Sequence, residues 1–159
     1  MFGLFKKTYE LLAPVTGKVV DLSLVPDQVF AQKMAGDGVA VESTGDTIVA
    51  PADGVLTLIF KTNHAFAMTL DNGAEILVHI GIDTVELQGE GFERLADEGA
   101  KVKAGDPIIK VNRDFITSKG FSLITPVLIT NIDIVKDINY KTGFNAEAGK
   151  EVVVEYKTK

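Results

Sequence analysis

The chain has 159 residues, 46% of them apolar and 24% charged, with a formal net charge of −6 from 22 acidic and 16 basic side chains. That length and apolar share suit one domain with a sizeable core and exclude a disordered chain. The lack of cysteine excludes disulfides, thiolate nucleophiles and cysteine-ligated metal sites, and agrees with a reducing compartment. With Arg94 and Arg113 as the only arginines there is no basic stripe for nucleic acid, and a cationic protein surface is the easier partner.

The opening MFGLFKKTYELL lacks the long apolar region and small-residue cleavage site of a signal peptide. Nor does any run approach the roughly 20 apolar residues of a membrane helix, so a cytoplasmic location is expected. Residues 1–12 read as a mobile, weakly helical terminal segment ahead of a single domain over 13–159. Phe2, Leu4 and Phe5 with Lys6 and Lys7 offer at most a weak, transient contact with the inner face of a membrane. The plainer reading is a frayed terminus.

From Ala13 onward the chain echoes itself. APVTGKVVDL (13–22) and APADGVLTLI (50–59) share Ala-Pro, a two-residue spacer, Gly and an apolar strand, and TPVLIT (125–130) is a fainter version. Proline opening a strand and glycine permitting a turn suit a sandwich or barrel. MAGDGVAVES (34–43) and VKAGDPIIKV (102–111) read as turns feeding further strands. Besides the N-terminal dozen, helical signals are confined to 92–98 and to 112–120, where Asn112 caps and Gly120 stops a turn. A short turn is expected near 131–139. The sum is a mostly β domain of about ten or more short strands.

The segment 60–80, FKTNHAFAMTLDNGAEILVHI, carries both histidines of the chain. Asn72-Gly73 suits a two-residue type I′ hairpin in which Asp71 pairs with Ala74. His64 then faces Gly81 and His79 faces Phe66. Both histidines project from one face of neighbouring strands, one diagonal step or about 7–8 Å apart at the backbone. A slip of one residue would part them. Phe60, Thr62, Phe66 and Met68 share the face of His64, Leu77 and Gly81 that of His79, and Ile76, Val78 and Ile80 point into the main core. Two imidazoles in an apolar basin are poor packing choices, since each ring nitrogen needs a partner when buried, so the pair reads as a site.

Several chemistries lack their parts. A catalytic zinc lacks its third ligand and any HExxH helix, a serine hydrolase its elbow, and a nucleotide site its phosphate loop or dinucleotide fingerprint. Asp37-Gly38, Gly45-Asp46 and Asp53-Gly54 are turns, and ELQGEGFERLADEG is a solvated loop beside the site. What remains is nucleophilic catalysis with a ring nitrogen attacking phosphorus, one histidine attacking while the other donates to the incoming oxygens. Which one attacks is left open by these residues.

VFAQKMAGDGVAVES, APADGVLTLIFKTNHAF and LVHIGIDTVELQGEGF, supported by VKAGDPIIKV and TPVLITN, resemble the glucose-specific enzyme IIA family of the bacterial phosphoenolpyruvate-dependent sugar phosphotransferase system. The likeness runs through the chain from about Ala13. It implies an all-β, single-domain β-sandwich, also described as a barrel-sandwich hybrid, with minor short helices. It implies that His79 is phosphorylated at Nε2, that His64 hydrogen-bonds the phosphoryl group and that Thr62 orients His64. It implies that Asp27 and Asp83 receive a partner's basic residues and that Phe30, Phe60, Leu77 and Ile80 surround the depression, the family usually carrying an aromatic at the last two. The partners implied are phosphorylated HPr as donor, the IIB domain of a sugar permease as acceptor, and regulatory targets in some relatives. No cofactor is needed, and zinc would bind the two histidines only with a partner's carboxylate.

The Ala-Pro-x-x-Gly echoes also suit the hammerhead of biotinyl and lipoyl carriers, but those need an exposed lysine in the hairpin where this chain has Asp-Asn-Gly. A zinc peptidase on related β architecture would need a third ligand. A scaffold that had abandoned transfer would not be expected to keep both histidines and Thr62.

Overall fold

A computed structural model of the chain describes residues 7–159. Phe2, Leu4, Phe5 and Lys6, read above as a lipid contact, lie outside them. Lys7 is exposed, its Nζ 5.3 Å from the centre of the Tyr9 ring.

The described residues form fourteen strands and two short helices. In chain order these are β1 (Tyr9–Leu12), β2 (Gly17–Asp21), α1 (Gln28–Ala31), β3 (Asp37–Ser43), β4 (Thr47–Val49), β5 (Gly54–Ile59), β6 (Ala65–Thr69) and β7 (Glu75–His79). There follow β8 (Phe92–Arg94), β9 (Lys101–Val102), β10 (Pro107–Val111), α2 (Arg113–Ser118), β11 (Ile124–Ile129), β12 (Val135–Tyr140), β13 (Asn145–Ala146) and β14 (Val152–Thr158). Single 3₁₀ turns occupy Leu22–Leu24, Thr84–Leu87 and Ile132–Ile134. Asn112 caps α2 as expected, its Oδ1 accepting from the Phe115 amide at 3.1 Å. Two helical expectations fail. Residues 9–12 pair as β1 with β14 and bury Leu11 completely, so the fold begins before Ala13. Residues 92–94 are β8, because Phe92 and its neighbours pair with β10.

The strands make three antiparallel sheets: β1-β14-β12, β4-β10-β8, and an eight-stranded sheet ordered β13-β2-β3-β11-β7-β6-β5-β9. The barrel-sandwich hybrid is therefore not the architecture. Closure needs the two edge strands to pair with each other. Here β13 and β9, two residues each, end opposite edges and each pairs with a single neighbour. The domain is all-β and antiparallel, with open sheets and minor short helices.

Alternation along the large sheet creates two cores. Val19, Val39, Val41, Phe66, Met68, Ile76, Val78, Ile80 and Val127 face the main one. Val20, Ala40 and Leu128 face the other way, meeting Leu22, Val25, Phe30, Ile82 and Ile124, with Leu77 packed against them. A four-residue helix such as α1 has little stability alone. Burial of Leu22 and Phe30, about 1.5–3 kcal/mol each, is what holds the 22–35 segment on the sheet.

The sequence echoes have a structural counterpart. The Leu12 amide donates to Pro51 O at 2.8 Å and the Val49 amide to Pro14 O at 2.7 Å, so the two Ala-Pro segments run past each other. Ala13 pairs through its backbone with Glu151 and Gly149, as Ala50 does with Asp106 and Gly105. The two glycines meet where a Cβ on Gly149 would lie 2.9 Å from Gly105 Cα.

Candidate functional site

The hairpin bearing the histidines differs from the sequence expectation by one residue. Its register pairs Phe66 with Val78 and Ala65 with His79, and Leu70 closes the loop on Ala74. The loop is thus Asp71-Asn72-Gly73, three residues long, with Gly73 at φ +91° and Asn72 absent from the positive-φ residues a type I′ turn requires. Asn72 works through its side chain instead: Oδ1 accepts from the Ala74 amide at 2.9 Å and Nδ2 donates to the Tyr156 hydroxyl at 2.8 Å. The slip sends Phe66 and Met68 into the main core, away from the histidines.

The imidazoles nevertheless meet, their ring centres 5.1 Å apart at 82°. The reason is that His64 has left the strand. Continued alternation would have given it the face of Ile80, whose amide donates to its carbonyl at 2.7 Å. Asn63, left-handed at φ +59°, closes a turn from Phe60 instead, and the ring of His64 lies against His79 on one side and Phe60, 5.4 Å away, on the other. Asparagine tolerates this conformation better than most residues.

His79 ends β7, half-buried, with Phe30 of α1 packed at 4.9 Å. Its Nδ1 lies 2.7 Å from the carbonyl oxygen of Gly81. A carbonyl only accepts, so Nδ1 carries the proton and the lone pair sits on Nε2. Gly81 turns its carbonyl back in this way at φ +82°, where a Cβ would come within 2.6 Å of both Ser122 O and Thr84 Cγ2. The Thr84 hydroxyl, fully buried, donates to Ile80 O at 2.6 Å and fixes the same turn. Thr62 Oγ1 lies 2.5 Å from Nδ1 of His64.

Burial sets the charge state of both rings. His64, only 4% exposed, is held down to a pKa of about 4, first by desolvation and then by the neighbouring His79. Desolvation also lowers His79, opposed by its bond to Gly81 and by the carboxylates of Asp27 and Asp83. Both imidazoles are therefore neutral at neutral pH, as a nucleophile and a neutral donor require.

The remaining residues singled out in the sequence divide. Asp27 caps α1, its Oδ1 accepting from the Val29 amide at 2.8 Å, and Asp83 is exposed at the left-handed start of the turn after His79. Leu77 belongs to the smaller core beneath Phe30. Ile80 is fully buried in the main core and offers no surface to a partner, because it continues the inward face of Ile76 and Val78. Exposed Leu24, Val29 and Met34 flank Phe30, and Val85 follows Asp83. Sequence reading missed the carbonyl of Gly81, the buried Thr84 and the left-handed Asn63. The Gly-x-x-Thr spacing and the Asn before His64 are the only traces they leave.

A concavity of about 660 Å³ lined by Asp46, Gly91, Phe92, Lys110, Asn112 and Arg113 contains neither histidine. Among the described residues no three His, Asp or Glu side chains are grouped to hold a metal, and no helix is long and apolar enough to cross a membrane.

A family model described as phosphoenolpyruvate-dependent sugar phosphotransferase system, EIIA 1, matches residues 9–135. The chain is 46% identical to a PTS system glucose-specific EIIA component of Haemophilus influenzae, over 98% of this chain and 99% of that protein. It is 47% identical to part of a PTS system N-acetylglucosamine-specific EIICBA component of Escherichia coli, covering 93% of this chain and 23% of the longer one. Among solved structures it superposes on glucose permease IIA from Mycoplasma capricolum with a TM-score of 0.89, 36% identity, and coverage of 96% and 97% of the two chains.

Proposed function

The chain belongs to the glucose-type EIIA family of the phosphoenolpyruvate-dependent sugar phosphotransferase system, and from that premise we propose that Nε2 of His79 carries the phosphoryl group while His64 supports it. As an EIIA component the chain is a phosphohistidine carrier, relaying phosphoryl groups between HPr and IIB, and is not a stand-alone turnover enzyme. The observation that carries the site assignment is the bond from His79 Nδ1–H to Gly81 O at 2.7 Å, which leaves Nε2 as the nucleophile beside a second neutral imidazole.

In this reading phosphorylated HPr docks over the apolar margin, with Asp27 and Asp83 meeting its basic residues. The Nε2 lone pair attacks phosphorus in line, the N–P bond to HPr breaks, and the electron pair of that bond returns to the HPr imidazole. Negative charge on the equatorial oxygens is met by Nε2–H of His64, the tautomer kept when the Thr62 hydroxyl donates to Nδ1. Positive charge growing on the His79 ring is met by the Gly81 carbonyl, so no proton leaves His79. The same geometry, run onward, delivers the group to the IIB domain of a permease. Docking over Phe30 and Phe60 excludes water from the labile N–P bond. The exchange is placed in the cytoplasm, where phosphoenolpyruvate supplies the group.

Incubation with phosphoenolpyruvate, enzyme I and HPr tests the reading. Intact mass is expected to rise by about 80 Da, acid-labile, the mass of one added PO₃H unit. His79→Gln abolishes the gain, and His64→Gln accepts the group but passes it on slowly. Labelling of the His79→Gln variant at His64 would overturn the assignment.

A further inference from the structure

The turn that presents His64 is gripped by a strand from another sheet. Arg94, the last residue of β8, donates from Nε to Asn63 Oδ1 at 2.6 Å and from Nη2 to the carbonyls of Ile59 and Phe60, both at 3.4 Å. Four residues further on, Glu98 Oε1 accepts the Ile59 amide at 2.9 Å. The turn itself closes through the Asn63 amide to Phe60 O at 2.7 Å and the Phe60 amide to Ala65 O at 3.0 Å. A cation and a carboxylate from one segment thus clasp the backbone from which the His64 ring projects.

Two further facts make this grip more than surface decoration. None of the ion pairs among the described residues includes Arg94; its guanidinium goes instead to three oxygens of this one turn. And Asn63, which accepts the shortest of these bonds, is the residue held left-handed immediately before His64. A charge-assisted bond to its side chain biases the amide and, through it, the backbone angles that aim the next residue.

We infer that Arg94 is a positioning residue for phosphoryl transfer, acting through Asn63 to hold the His64 ring over His79. The inference rests on the reading that His64 supports the transferred group. Arg94 itself touches neither imidazole by any hydrogen bond among the described residues, so its effect is on geometry.

The test uses the full chain, with single-turnover transfer from the phosphorylated protein to IIB as the readout. Arg94→Gln removes the grip, and Asn63→Gly keeps the left-handed backbone while removing the anchored amide. Each is expected to slow transfer about 10-fold, as displacement of a group by a fraction of an ångström does. The double variant is expected to slow it no further than either alone, the mark of one shared path. The KM for phosphorylated HPr stays within about 2-fold, since uniform binding is untouched. Imidazole ¹⁵N signals of His64 shift while the backbone amide spectrum of the sheets is retained. Lys110→Gln, which removes a cation elsewhere, serves as the control.

Transfer at the wild-type rate in Arg94→Gln, or additive losses in the double variant, overturns the inference while His64→Gln remains slow. A His64→Gln variant as fast as wild type overturns the supporting role of His64, and this inference with it.

Discussion

Replacing His64 by Gln should flatten the acid side of the stability profile. In the folded chain desolvation, then His79, holds the His64 pKa at about 4, against 6.5 as its ordinary value. Between those values the unfolded chain binds a proton that the folded chain refuses, so stability rises with pH. The contribution is fully present above about pH 6.5 and is lost as pH falls through about 4. Integrated from pH 7.5 down to pH 4.5, it amounts to about 2.5 kcal/mol, and solvent screening near the protein surface trims it to about 2 kcal/mol. Urea unfolding of both proteins at the two pH values isolates it, because the carboxylates and His79 contribute to each alike. The wild type should lose about 2 kcal/mol more than His64→Gln over this interval. Equal losses, within about 0.5 kcal/mol, would mean that His64 is not held neutral by burial, and the neutral-donor role would fail with it.

Three other changes separate the parts of the site. Gly81→Ala forces a Cβ into the left-handed conformation, costing about 1–2 kcal/mol before any clash with Ser122 O and Thr84 Cγ2; urea unfolding should show at least that loss, and acceptance from phosphorylated HPr should fall on the order of 10-fold as the carbonyl swings from Nδ1. Thr62→Val leaves Nδ1 of His64 without its hydroxyl partner, so stability should fall by about 1–3 kcal/mol, with loss of the fixed Nε2–H tautomer visible in imidazole ¹⁵N spectra. Asp27→Asn keeps the cap on α1, since asparagine caps as well as aspartate; paired with Asp83→Asn it should raise KM for phosphorylated HPr and weaken the salt dependence of acceptance while leaving kcat near wild type.

Much of this was legible in the residues because it depended on local patterns. Ala-Pro-x-x-Gly opened β2 and β5, Asn112 capped α2, and the inward run Ile76, Val78, Ile80 needed only the period of a strand. The hairpin was harder. Asn72-Gly73 fits a two-residue turn by local preference, but the Asn72 amide is drawn to Tyr156, 84 residues away, and the loop takes three residues. That distant contact goes with the three-residue loop, whose register sends Phe66 and Met68 inward. The proximity of the histidines survived for a different reason, the left-handed Asn63 that ends the alternation. Neither α1 nor its place on the back of the sheet was visible, since four residues carry no helical period and are held by Phe30 against Leu77 and Leu128. The strand-opening echoes suited a sandwich or a barrel alike, and the barrel-sandwich hybrid was expected from resemblance. The two-residue edge strands β13 and β9 leave the sheet open.

The central claim, that the phosphoryl group resides on Nε2 of His79, is tested most directly by ¹⁵N-histidine labelling of the phosphorylated chain and detection of the nitrogen coupled to ³¹P. A single coupling at Nε2 of His79, with Nδ1–H still bonded to the Gly81 carbonyl, is the result predicted. Coupling at Nδ1 of that ring, or at either nitrogen of His64, would contradict it.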